Sequence, residues 1–192
     1  MRKISVVLIG TSAGGIDALR QLFSFLPKGF HLPLVIVQHL PEDAHFDLDL
    51  LFSRQTQLLL SEAHDKVKVL PGHIYFAPPG YHLLIEKDQT LSVSLDEKVH
   101  FARPSIDVLF DSAARSLGQS ALGILLTGAS QDGAEGLQLM KESGALTCVQ
   151  DPASAQVPYM PEAALNIMTP DWVLDLKGIA AKLSQLSLRT AV

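Results

Sequence analysis

Cysteine is nearly absent. Cys148 is the single one in 192 residues, which excludes an intramolecular disulfide framework and suits a reducing, cytoplasmic setting. Cations are also scarce: 15 Lys and Arg stand against 20 Asp and Glu, a formal net charge of −5. Nucleic acid is therefore not expected as the main partner, because phosphate binding needs clustered Lys and Arg. No apolar run is longer than a strand, so no membrane insertion is expected. The opening Met1-Arg2-Lys3-Ile4 carries no signal-peptide pattern, and no internal repeat, low-complexity tract or long linker follows. What is present is the composition of one globular domain, with 47% hydrophobic and 18% charged residues. A chain of this length can bury a sizeable core. Cys148 sits in the apolar run Leu146-Thr147-Cys148-Val149 and reads as an inert buried thiol.

Apolar runs predict strands near 4–9, 34–38, 74–77, 121–126 and 146–149. Helical periodicity predicts helices near 16–25, 46–58, 105–116, 133–143, 161–167 and 177–186. Alternation of the two predicts an α/β fold, a doubly wound, mostly parallel sheet with helices on both faces. Residues 81–86 and 90–95 flank Lys87-Asp88-Gln89 and predict an antiparallel hairpin inserted among the parallel elements. Ser105, after Pro104, is a candidate N-cap, and Gly144 a candidate helix stop.

The most informative stretch is Gly10-Thr11-Ser12-Ala13-Gly14-Gly15, between the first strand and the first helix. A serine flanked by glycines at a strand-to-helix turn has the form of a nucleophile elbow, the glycines at 10 and 14 easing the turn. The same turn could cradle a pyrophosphate. That reading wants a carboxylate at the end of the second strand, and this chain has Gln38-His39 there instead. Ligands of open parallel sheets bind at the carboxyl ends of strands. There the chain places Ser12 after the first strand, His39 after the second and Asp132 in the loop 127–133. A hydroxyl, an imidazole and a carboxylate on three such loops can form a Ser/His/Asp set, which geometry defines rather than chain order.

Structural alternatives stand beside each residue. Ser12 could cap the first helix, Asp132 the helix starting near Gly133, and His39 could be a polar strand end. His39 and His45 with Glu42 or Asp43 could hold a metal, although the spacing is loose. His31, His64, His73, His82 and His100 are scattered and read as solvated or structural.

Several motifs in one order over most of the chain resemble the catalytic domain of the CheB-type chemotaxis-receptor protein-glutamate methylesterases. They are Ile9-Gly10-Thr11-Ser12-Ala13-Gly14-Gly15, Gln38-His39-Leu40-Pro41, and residues 70–78 from Leu70 to Pro78. Arg103-Pro104-Ser105-Ile106-Asp107-Val108-Leu109-Phe110, Leu126-Thr127-Gly128, Gln131-Asp132-Gly133-Ala134 and Met160-Pro161 complete the set. The resemblance implies a doubly wound fold and a triad of Ser12, His39 and Asp132 with no metal or organic cofactor. It implies an oxyanion hole from the backbone near Ala13 and Ala129, and Arg103 as a substrate-binding candidate against its plainer reading as an ion pair. It implies hydrolysis of glutamyl methyl esters on the helical coiled coil of a chemoreceptor, with deamidation of receptor glutamines as a companion activity. Residues 1–192 then form one catalytic domain with no receiver domain, which leaves its control open, a separate regulatory protein being one candidate. Departures are Ala129 and Ser130 where the family often has Met and Gly, Glu162 for Arg, and Phe101-Ala102 before Arg103 where a His often stands. These motivate an alternative, a catalytically impaired regulatory or binding module on the same fold.

Overall fold

A computed structural model describes residues 3–42 and 47–188. The predicted helix at 46–58 begins outside them, as do His45 and Asp43. The chain begins β1 (Val6–Thr11), α1 (Gly15–Phe25), β2 (Leu34–Gln38), α2 (Leu48–Phe52), β3 (Leu59–Glu62) and β4 (His73–Phe76). It continues β5 (His82–Ile85), β6 (Leu91–Ser94), α3 (Ile106–Ser116), β7 (Ala121–Leu125), α4 (Ala134–Glu142) and β8 (Leu146–Gln150). It closes with α5 (Tyr159–Ile167), β9 (Trp172–Leu174) and α6 (Leu176–Leu188).

Seven strands form one sheet in the order β3-β4-β2-β1-β7-β8-β9, every pairing parallel. The period-2 alternation of a strand splits each one between two cores. Val6, Leu8, Val35, Val37, Leu125 and Val149 point to the face covered by α3, α4 and α5. Val7, Ile9, Leu34, Ile36, Ile124 and Cys148 point to the face covered by α1, α2 and α6. Both faces being covered, the central strands are apolar throughout, as the runs that predicted them require. Burial pushes the Cys148 thiol up to about 12, with the nearby Asp171 carboxylate adding to it, so the thiol is inert.

The expected hairpin is present, β5 pairing antiparallel with β6 as a separate two-stranded sheet packed on α3. Two points differ from the sequence reading. The described part of the predicted 46–58 helix is a short α2, capped by the Asp47 side chain on Leu50 N–H. Beyond it Leu58 N–H donates to Thr56 Oγ1, a local side-chain turn that competes with helix. The edge strands β3 and β9, only four and three residues long, lie outside the predicted strands. Their apolar runs, Leu58-Leu59-Leu60 and Trp172-Val173-Leu174, are only three residues long, too short to read as strands.

The connections after β1 and β7 leave toward opposite faces, α1 to one and α4 to the other. The crevice between them, at the carboxyl end of adjacent strands β1 and β7, is the topological switch point of the sheet.

Candidate active site

The turn after β1 is fixed from three sides. Ser12 N–H donates to Thr127 O at 3.0 Å, tying the β1 turn to the β7 loop. Gln38 Nε2 donates to Ser12 O at 3.0 Å and to His39 O at 2.9 Å, tying it to the end of β2. Thr127 Oγ1 donates to Ala13 O at 2.9 Å. Gly14, with φ 77°, makes the turn and is the N-cap of α1, so Ser12 does not cap that helix. Gly10 lies within β1 instead of the turn, and there Ile106 of α3 packs against its bare Cα. A Cβ on Gly128 would stand 3.0 Å from Ser12 Cβ, which measures how closely the β7 loop approaches the serine.

Ser12, half-buried, sits 3.2 Å from His39 Nδ1 through its Oγ, and His39 Nε2 sits 2.7 Å from Asp132 Oδ2. The three residues named from the sequence therefore meet in one hydrogen-bonded line. His39 keeps 15% of its side chain exposed, whereas Asp132 is fully buried. The carboxylate is held from behind. Ser105 Oγ donates to Oδ1 at 2.7 Å, Ile106 N–H to Oδ2 at 2.7 Å and Asp107 N–H to Oδ1 at 3.0 Å. Asp132 does cap a helix, but the helix is α3 rather than α4, whose N-cap Gly133 makes no side-chain bond. The first turn of an 11-residue helix offers unpaired N–H groups and positive dipole potential to this anion.

Burial pushes the Asp132 carboxyl up, but the His39 hydrogen bond, the Ile106 N–H and the Ser105 hydroxyl outweigh it and hold the group below its ordinary value. An ionised Asp132 only accepts, so His39 Nε2 carries the proton. Nδ1 is then a free acceptor for the Ser12 hydroxyl. The arrangement can take a proton from Ser12 and stabilise the cation formed.

Neither the Ala13 nor the Ala129 N–H donates to another described residue, and both residues are exposed beside Ser12. Ser105, read from the sequence only as a cap, also holds Asp132, and His82 in turn accepts from Ser105 N–H at 3.1 Å. Its serine-before-helix pattern was visible in the sequence, but its partner 27 residues away was not.

Asp107 lies beside Asp132 and behaves oppositely. Its Oδ1 accepts from Gly136 N–H at 2.6 Å, while Oδ2 has no hydrogen-bond partner among the described residues, His100 Nε2 standing 3.3 Å off as a charge contact. Burial, together with the neighbouring Asp132 charge, pushes its carboxyl up to about 6.

A cavity of about 380 Å³ opens in front of His39, lined by Pro41, Glu42, Lys98, His100, Phe101 and Arg103 among others. Arg103 Nη1 donates to Leu95 O at 3.0 Å and Asp96 O at 3.1 Å, and its Nη2 lies 3.6 Å from Glu42. Arg103 thus anchors the chain between β6 and α3 and also borders the cavity. No cluster of three potential metal ligands occurs among the described residues. His39 and Glu42 are committed to Ser12 and Asp132, and to Lys98 and Arg103, respectively. No helix among the described residues is long and apolar enough to cross a membrane.

Comparison with known proteins identifies relatives of the chain and of its fold. The CheB methylesterase family matches residues 7–183. A Leptospira interrogans protein, provisionally named protein-glutamate methylesterase/protein-glutamine glutaminase, is 44% identical over 174 residues, covering 91% of this chain and 90% of that protein. The protein-glutamate methylesterase/protein-glutamine glutaminase of Nitrosospira multiformis is 38% identical over 94% of this chain and 51% of its own length. The crystal structure of the Thermotoga maritima CheB methylesterase catalytic domain superposes with a TM-score of 0.89, at 30% identity, covering 96% of this chain and 99% of that one.

Proposed function

The chain belongs to the CheB methylesterase family, and on that premise we propose that it hydrolyses glutamyl methyl esters on a chemoreceptor, with Ser12 as nucleophile. The observation that carries the proposal is the line Ser12 Oγ–His39–Asp132, at 3.2 and 2.7 Å, on three strand-end loops.

His39 Nδ1 takes the hydroxyl proton as Ser12 Oγ bonds to the ester carbonyl carbon. Asp132, ionised and immobile, stabilises the imidazolium and fixes its tautomer. The Ala13 and Ala129 N–H groups receive the oxyanion, each such donor being worth roughly 3–4 kcal/mol. The tetrahedral intermediate collapses, the carbon–methoxyl bond breaks, and His39 returns its proton to the departing methanol. Water, deprotonated by the same nitrogen, then attacks the acyl-enzyme and releases Ser12 and a glutamate carboxylate. Deamidation follows the same path with ammonia as leaving group. Every proton is moved by His39. Arg103, rigid at the border of the cavity, is assigned to carboxylates flanking the ester. The substrate surface is the receptor's helical coiled coil.

Methanol release from purified methylated receptors tests this reading. The wild type is expected to release methanol, and Ser12→Ala to lose at least about 10³-fold in turnover with an unchanged fold. A Ser12→Ala protein near wild-type rate would sink it, and an inactive wild type would favour the binding-module alternative.

A further inference from the structure

The cavity in front of His39 is charged in a way the molecule as a whole is not. The chain carries a formal net charge of −5, yet Lys98, His100 and Arg103 gather around this opening. His100 faces Asp107, and one carboxylate, Glu42, serves both Lys98 and Arg103. Glu42 Oε1 lies 2.9 Å from Lys98 Nζ and 3.6 Å from Arg103 Nη2. The Arg103 guanidinium cannot follow Glu42 outward, because its Nη1 is bound to two backbone carbonyls. The Arg103 end of the subsite is therefore preformed, whereas Glu42 and Lys98 keep 48% and 50% of their side chains in solvent. An ion pair so exposed is weakly held and exchangeable.

The lip of the same cavity is strained. Val99 and Ala102 exchange both backbone hydrogen bonds around His100 and Phe101, which take φ of 49° and 62°. Two consecutive non-glycine residues in the left-handed region are held there only by the surrounding structure. The turn presents Phe101 98% exposed at the cavity edge. An apolar ring beside two cations suits a side chain with an aliphatic stem and a carboxylate head.

Building on the methylesterase reading, we propose that Glu42 is an internal stand-in for a substrate carboxylate. In the free enzyme it occupies the Lys98–Arg103 subsite. On docking, an acidic side chain near the ester on the same substrate helix displaces it, its stem passing Phe101. The reaction's own product is such a carboxylate, so a receptor with several neighbouring sites gains affinity as each is demethylated. Glu42 is a positioning residue, since it touches none of the reacting atoms, and its effect belongs in KM.

The test uses methylated receptor membranes and methanol release, with co-sedimentation on fully demethylated receptor membranes as a readout that needs no turnover. Glu42→Gln is expected to lower KM and to strengthen co-sedimentation by about two- to fivefold. Lys98→Gln is expected to raise KM and weaken co-sedimentation by a similar factor. In the Lys98→Gln background the Glu42→Gln gain should shrink toward nothing. Unchanged or weaker binding by Glu42→Gln, or a gain that survives intact without Lys98, would overturn the proposal. If wild type released no methanol, the reaction reading would fail, and co-sedimentation alone would decide the subsite.

Discussion

Two carboxylates border this site, Asp132 at its buried end and Glu42 at its mouth, and they are held in opposite ways. Asp132 has no exposed surface and four donors: an imidazole, a hydroxyl and two backbone N–H groups from the start of α3. Glu42 has two cationic neighbours and half its side chain in water. The same functional group is fixed in one place and exchangeable in the other. Burial decides which, because removing a partner from a buried charge leaves it uncompensated, while solvent replaces the partner of an exposed one. The back of the site is built to hold one geometry. The front is built to be displaced.

The comparison breaks most sharply at the back. Asp132→Asn keeps the shape but can present an N–H to His39 Nε2, forcing the wrong tautomer. Methanol release is expected to fall about 10³- to 10⁴-fold. A loss under tenfold would mean that the buried end is not the working end.

Asp107 sharpens the contrast, since it stands beside Asp132 yet is raised rather than lowered. An acid raised from 3.8 to about 6 by burial keeps its proton in the folded state after the unfolded chain has lost it. Stability is then fully present below pH ~4, falls as pH rises to about 6 and is flat above, a loss of about 2–3 kcal/mol for this group. Asp132, held low, is ionised in both states above about pH 5 and adds no slope there. Asp107→Asn should therefore flatten the stability profile between pH 4 and 6, read by denaturant unfolding at each pH. A difference between the wild-type and Asp107→Asn profiles that stays constant from pH 4 to 6 would contradict the assignment.

Ser105→Ala is expected to have a smaller effect. It removes the α3 cap and one of the four donors to Asp132. About 0.5–2 kcal/mol of stability should be lost. Methanol release should fall less than for Asp132→Asn, because two N–H groups still hold the carboxylate. A stability loss without any rate loss would show that the nest needs no hydroxyl.

How far the sequence reveals this depends on how local each feature is. The elbow at Ser12 is legible because Gly14, the apolar run before it and the helix after it are contiguous. His39 and Asp132 are legible because parallel strands deliver their following loops to one edge, so position after a strand is position at the site. What holds Asp132 was not legible: Ser105 reads as a cap, but nothing in its neighbourhood says that it also binds a residue 27 positions later. The Glu42–Lys98 pair is equally hidden, since it joins two loops 56 residues apart that only the packing of the hairpin on α3 brings together. The edge strands β3 and β9 escaped because their apolar runs, Leu58-Leu59-Leu60 and Trp172-Val173-Leu174, are only three residues long and expose Leu59 and Val173, so neither alternation nor a buried run marks them.

The central claim is that Ser12, His39 and Asp132 act as one unit, and a double-mutant cycle on methanol release measures it most directly. Ser12→Ala, Asp132→Ala and the combined variant are assayed on the same methylated receptors. The combined variant is expected to be no slower than Ser12→Ala alone, because the carboxylate acts only through the imidazole and the nucleophile. Losses that multiply would contradict it, since Asp132 would then be acting independently of the serine.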